Sequence, residues 1–397
     1  MNLRKKVMWA KNKYMFKLIR KYIRIFRKSR FDYESLVRVR VSKSAILHNY
    51  ETFCNVCNGK QVAPVLKSNA YGHGLIHIGK ILDSKNTPFF VVDSYYEALM
   101  LRNEGIKTQI LVIGYSFLKN ILTNTDPGIV FTLSTPHQIR EISESLKVKQ
   151  MFHIKCDTGM NRQGIRYEDL EYIVSLIKAN KNFCIEGICS HLADADVENS
   201  LHVERQKNVW INIVRELKNH FSHIKYFHIS ATAGTQYIEQ FDSNVVRLGI
   251  GLYGIDPFPG RALGLVPALS VYAVVVGIKP IKRGDFVGYN ATFSAEENMT
   301  IAIVPVGYYE GIDRRLSNNG FVSIRGTACP IIGRVSMNMV SVDVSRVEHV
   351  REEEEVCVIS NKIGDKNSVV SMAVRCGTIP YEILVKIPER LRREVID

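Results

Sequence analysis

From about residue 61 to 250, short β-branched runs alternate with amphipathic stretches. The candidate strands are 61–66, 88–93, 109–113, 129–133, 150–156, 183–189, 225–230 and 244–248. The stretches Tyr95–Glu104, Pro136–Leu146, Glu168–Ala179 and Val203–Asn219 carry apolar residues at helical spacing. Near-continuous apolar strands separated by helices belong to parallel sheets covered on their faces. Eight such units predict an α/β fold, a parallel (β/α)8 TIM-like barrel rather than an open sheet. After residue 256 the pattern changes. Pro257, Pro259 and Pro267 mark a linker, and strands follow without long helices at 268–278, 299–305, 320–325, 339–344 and 355–359. This predicts a mainly-β C-terminal domain. Leu36–Val41 alternates like a strand and can join that domain. The expected organisation is an N-terminal extension over 1–34, a barrel domain over 35–260 and a β domain over 261–397.

Charge changes this picture only at the N-terminus. The net charge is +14, but residues 1–30 hold twelve of the 53 basic residues and no acid, so the remaining 41 face 39 acids. The nearly neutral body is not that of a nucleic-acid binder. Within 14–28, Met15, Ile19, Tyr22, Ile23 and Phe26 stand at helical spacing, with lysines and arginines on the other faces. A basic amphipathic helix of this kind can lie on an anionic membrane, each base near the surface contributing about 1 kcal/mol. An organellar targeting peptide, or a tail with no specific role, fits the same residues. No apolar run is long enough for a spanning helix. The eight cysteines are scattered through apolar segments and read as reduced core residues of a cytoplasmic protein. Cys54 and Cys57 match C-x-x-C, but no second pair stands at zinc spacing, so no metal site is expected.

Polar residues at predicted strand ends carry the candidate chemistry. Lys67, Asp157, Arg162, His191, Thr232 and Arg247 all sit at or just after such an end. Barrel active sites occupy that face. Within Pro64–Gly74 an apolar run ends in Lys67, and a turn-rich loop follows at once. A lysine at the end of a buried strand can be desolvated toward the neutral nucleophile, suiting a Schiff base with pyridoxal 5'-phosphate (PLP). It can equally snorkel. Gly249–Gly254 matches G-x-G-x-x-G, but Ile255-Asp256-Pro257 breaks the chain where a dinucleotide site needs a helix. The backbone N–H groups of Gly249 and Ile250 can still hold a phosphate, because glycine permits close approach. Thr232 and Tyr71 add hydroxyls to that cup.

Taken together, these motifs resemble the alanine racemase family over roughly residues 36–390. The resemblance implies a PLP-dependent homodimer that interconverts L- and D-alanine for peptidoglycan. By it, Lys67 is the PLP lysine and the base for the D-enantiomer. Tyr289, in Gly288–Phe293, is the base for the L-enantiomer and enters the other subunit's barrel. Arg162, in the Lys155–Gly164 loop, contacts the cofactor phenolic oxygen and the substrate carboxylate. Lys155 matches a lysine that is often carbamylated and props up that arginine. His191 stacks on the cofactor ring, and Arg247 faces the pyridine nitrogen and keeps it unprotonated, because arginine does not release a proton. Tyr308, Met337 and Tyr381 match positions near the substrate entrance, Tyr381 also beside the cofactor. The chain departs from the family at Ala231 (usually Asn), Thr232 (usually Ser), Ser336 (often Cys) and Asn338 (usually Asp). A racemase of broader or serine-preferring specificity, or a non-catalytic PLP-binding protein, are the competing readings.

Overall fold

The computed structural model describes residues 33–258 and 262–397. The basic helix expected within 14–28 lies outside the described residues. Val37–Asp397 forms one compact unit, to which every element below belongs.

Strand β1 (Arg38–Ser42) leads into helix α1 (Lys43–Val56), whose first turn is capped by the Ser42 hydroxyl, which accepts from the Ala45 N–H at 3.0 Å. Eight parallel strands follow: β2 (Gln61–Pro64), β3 (Phe90–Val92), β4 (Ile110–Val112), β5 (Ile129–Leu133), β6 (Gln150–Lys155), β7 (Phe183–Cys189), β8 (Tyr226–His228) and β9 (Val245–Leu248). β3 to β8 form one six-stranded sheet and β2 pairs with β9. Parallel bridges from Val65 to Val91 and from Ala231 to Arg247 join these two sheets at both ends and close the barrel. All residues of β3, β4 and β5 are buried, as strands with a packed barrel interior and helices outside require. The outer layer includes α2 (Leu75–Leu82), α3 (Tyr95–Asn103), α4 (Leu118–Thr123), α5 (Pro136–Ser145), α6 (Leu170–Lys178) and α7 (Leu201–His220). Ser94, Thr135 and Ser200 cap α3, α5 and α7 through their hydroxyls, and Pro136 occupies the first turn of α5.

The C-terminal part is a nine-stranded sheet in the order β11-β12-β15-β14-β13-β16-β10-β1-β17. Its strands are β10 (Leu269–Val274), β11 (Gly277–Ile281), β12 (Met299–Val304), β13 (Phe321–Ile324), β14 (Thr327–Ile332), β15 (Val340–Asp343), β16 (Glu355–Ile359) and β17 (Arg392–Ile396), with β1 between β10 and β17. Helices α8 (Val369–Cys376) and α9 (Pro380–Val385) precede β17. The single strand expected over 268–278 is two. The Val275 N–H donates to Glu354 O and the Val276 N–H to Ile303 O (2.9 Å each), so the chain changes partner from β16 to β12 at that point.

Candidate active site

One cavity of about 850 Å³ opens at the C-terminal ends of the barrel strands. Lys67, Tyr71, Lys155, Arg162, His191, Thr232, Arg247, Gly249, Ile250 and Tyr381 all line it. Tyr289, Tyr308 and Met337 do not; they are 68%, 46% and 54% exposed elsewhere on the surface. No group of three or more His, Cys, Asp or Glu side chains among the described residues is placed to hold a metal ion.

Lys67 follows β2 and begins an unusual turn. Ser68, Asn69, Ala70 and Tyr71 have φ values of 57°, 55°, 51° and 51°, one turn of left-handed helix built from non-glycine residues. Such a backbone costs about 1–2 kcal/mol per L-residue, and clusters of this kind mark functional sites. Gly72 ends the turn at φ 81°, where a Cβ would overlap the Leu384 carbonyl of α9. The turn delivers the Tyr71 ring against Tyr253 and Tyr381, with centroids 4.9 and 5.9 Å away. The Tyr253 hydroxyl donates to Val65 O at 2.8 Å and ties this aromatic group to the end of β2. Burial pushes the Tyr381 phenol up to about 12.

The Tyr71 hydroxyl ends beside Gly249. A Cβ at Gly249 would stand 2.9 Å from Tyr71 Oη and 3.9 Å from Thr232 Oγ1. Two hydroxyls therefore converge on bare backbone. Thr232 Oγ1 accepts from the N–H groups of Gly249 and Gly251 at 3.2 Å each, which leaves its own proton to donate to another acceptor. A phosphate suits this donor set.

Arg247 is fully buried at the end of β9. Its Nη1 donates to His228 Nδ1 and His228 O (2.8 Å each), and its Nη2 to Ser190 O, Ile229 O and His191 Nδ1 (2.8, 2.9 and 3.0 Å). Both histidines therefore accept at Nδ1 and carry their proton on Nε2. His228 Nε2 in turn meets His153 Nδ1 at 2.8 Å. Burial, with the Arg247 charge second, holds His153 and His191 down at about 3 and His228 well below its ordinary value. Two neutral imidazoles thus accept from one guanidinium, and a third, His153, accepts from His228 behind them.

Arg162 sits on a loop that folds back on its own strand. The Asp157 N–H donates to Ile165 O at 2.9 Å and the Ile165 N–H to Lys155 O at 2.8 Å. Asp157 Oδ1 accepts from the N–H groups of Gly159 and Asn161, closing an Asx turn. The exposed Arg162 is thereby held at the cavity mouth. The buried Lys155 donates to Gln163 Oε1 at 3.2 Å. Burial, with the nearby cations Arg247, Arg162 and Lys67, shifts Lys155 down toward the neutral amine.

Gln206 did not stand out in the sequence. It is fully buried on α7, donates to Thr158 Oγ1 and His191 O (2.9 Å each) and accepts from the Ala193 N–H at 2.8 Å, which fixes the segment that carries His191. A glutamine on the apolar face of an amphipathic helix was its only signal.

The sequence matches two family models, "Alanine racemase, N-terminal domain" over residues 41–257 and "Alanine racemase, C-terminal domain" over 268–395. The chain belongs to the alanine racemase family. Among its relatives, the alanine racemase of Staphylococcus carnosus is 33% identical over 364 residues, 89% of this chain and 93% of that protein. Alanine racemase 1 of Caldanaerobacter subterraneus subsp. tengcongensis is 34% identical over 372 residues, covering 92% and 96% of the two chains. The crystal structure of the Bacillus anthracis alanine racemase with bound L-Ala-P superposes with a TM-score of 0.84 at 28% identity, over 92% of this chain and 96% of that one. That of the Bartonella henselae alanine racemase, with covalently bound pyridoxal phosphate, gives 0.80 at 25% identity, over 91% and 100%.

Proposed function

We propose that the chain interconverts L-alanine and D-alanine with PLP held at the barrel mouth, using one base on each face of the substrate Cα. The observation that carries this reading is the convergence of Lys67, Arg162, Arg247 and the Tyr71–Thr232–Gly249 cup on one cavity. Tyr71, Thr232 and the Gly249–Ile250 backbone would hold the phosphate. Lys67 would bind the cofactor covalently, with His191 and Tyr381 beside it and Arg247 facing the pyridine nitrogen. When bound, PLP withdraws electrons from the substrate Cα and acidifies its C–H bond.

The chain's own residues then decide what happens to that proton. Arg162, a planar bidentate donor, fixes the substrate carboxylate and so orients Cα. Racemisation removes a proton from one face of Cα and returns it to the other, so it needs two groups that move protons. Lys67 Nζ serves the D face. Tyr289 of the partner subunit serves the L face through its phenolic oxygen. The exposure of Tyr289, Tyr308 and Met337 away from their own chain's cavity supports a homodimer in which they face the neighbour's site. Arg247 keeps its protons on both Nη atoms and so does not protonate the pyridine nitrogen, which favours return of the proton to Cα. The lowered pKa of Lys155 supports its carbamylation, because carbon dioxide reacts with the neutral amine. D-alanine made in this way would feed peptidoglycan precursors in the cytoplasm. The basic segment 1–30 would hold the enzyme against an anionic membrane.

Incubating purified protein with L-alanine, with and without added PLP, tests the reaction. PLP-dependent D-alanine formation, with kcat/KM above that for serine or lysine, is expected. A clear preference for another amino acid would overturn the assignment to alanine.

A further inference from the structure

The left-handed turn that follows Lys67 is not held by its own hydrogen bonds alone. Its cap residue, Leu66, contributes no side-chain acceptor to the first N–H groups. They are met by a residue of a different element. The Ser68 N–H donates to Glu97 Oε1 at 2.7 Å, and the Asn69 N–H approaches the same oxygen at 3.4 Å. The other oxygen, Glu97 Oε2, accepts from the N–H groups of Asp93 and Ser94 at 2.9 and 3.4 Å, while Ser94 Oγ accepts from the Glu97 N–H at 3.2 Å. That second set is the capping box of α3. A capping-box glutamate needs one oxygen for the helix. Here the spare oxygen is spent on the strained turn, and four backbone donors converge on one carboxylate. The Leu66 N–H also donates to Val91 O at 2.7 Å, so β2, the turn, β3 and the start of α3 form one closed ring of hydrogen bonds.

We infer that Glu97 is a positioning residue for the PLP lysine: its carboxylate clamps the left-handed turn and thereby aims both Lys67 and Tyr71 into the cavity. The inference rests on the reading that Lys67 binds the cofactor. An amide cannot replace the carboxylate in full, since its NH2 would face one of the two donor pairs.

Hydrogen exchange of the PLP-free protein tests the clamp directly, and PLP titration tests its consequence. In Glu97→Ala, peptides spanning 67–74 exchange about 10- to 100-fold faster, the range set by loss of a hydrogen bond to a charged acceptor, while β5 to β8 stay protected. The Kd for PLP rises by a comparable factor. Glu97→Gln gives a smaller change in both and serves in place of Glu97→Ala if that variant does not fold. Ser94→Ala removes the helix cap but keeps the carboxylate on the turn; it loosens 93–100 and changes both exchange over 67–74 and the Kd for PLP less than Glu97→Ala does. Ser68→Gly in the Glu97→Ala background recovers part of the affinity, because glycine adopts this φ without strain. Unchanged exchange over 67–74 in both Glu97 variants overturns the clamp. Faster exchange with unaltered PLP affinity overturns its positioning role. Borohydride trapping of PLP on a lysine other than Lys67 would instead overturn the underlying reading and leave the exchange result to judge the clamp alone.

Discussion

Replacing Thr232 with valine removes one oxygen from the phosphate cup and leaves the side-chain volume almost unchanged. The oxygen accepts two backbone N–H groups, from Gly249 and Gly251, at 3.2 Å each, and the residue is 2% exposed. A buried donor left without an acceptor costs about 1–3 kcal/mol. Two of them, partly re-solvated through the cavity, give a loss of about 2–4 kcal/mol in the PLP-free protein. The hydroxyl proton, which is left to donate to phosphate, is worth a further loss of about 1.5–3 kcal/mol in binding, or about 10- to 150-fold in Kd. Thr232→Ser keeps the oxygen and gives up one methyl, so its Kd should stay within about threefold of the parent. Urea denaturation of the PLP-free protein reads the first effect, and titration with PLP, followed by visible absorbance, reads the second. A Thr232→Val protein that binds PLP as tightly as the parent would refute the phosphate cup, whatever its stability.

Two further outcomes follow from charge. His153 and His191 are held at about 3 in the folded protein, below the ordinary histidine value of 6.5, chiefly by burial, so the unfolded chain binds more protons between these limits. Stability is therefore fully present above about pH 6.5 and is lost as pH falls toward 3, by up to about 1.4 kcal/mol per pH unit for each histidine; urea midpoints that match at pH 7 and pH 5 would contradict this. For the N-terminal segment, full-length protein should float with anionic vesicles and be released by salt, whereas residues 31–397 should not; equal flotation of the two would remove the membrane role.

The barrel was legible because its strands are apolar runs bounded by turn signals. Ile129–Leu133 and Phe183–Cys189 have the bounds that their sequence pattern predicts. The expected 88–93 shrinks to Phe90–Val92, because the ladder with β4 covers only those three residues. β14 and β17 were missed. Pro330 argues against a strand, yet it pairs only toward β13, and pairing with β15 begins at Ile331. β17 opens with Arg392-Arg393-Glu394, a polar edge with little burial to announce it. In the site, residues at strand ends could be proposed from position alone. The left-handed backbone of Ser68–Tyr71 could not, since none of those residues is glycine. Ser94 and Glu97 spell a capping box, but the second oxygen's reach to Ser68 spans 29 residues and depends on the barrel having closed.

The most direct test of the two-base account is deuterium uptake at Cα by the Tyr289→Phe protein in D2O. Lys67 should still exchange the α-proton of D-alanine, L-alanine should remain protiated, and racemisation should fall by about 100-fold or more. Racemisation at the parent rate, or equal exchange in both enantiomers, would contradict the account.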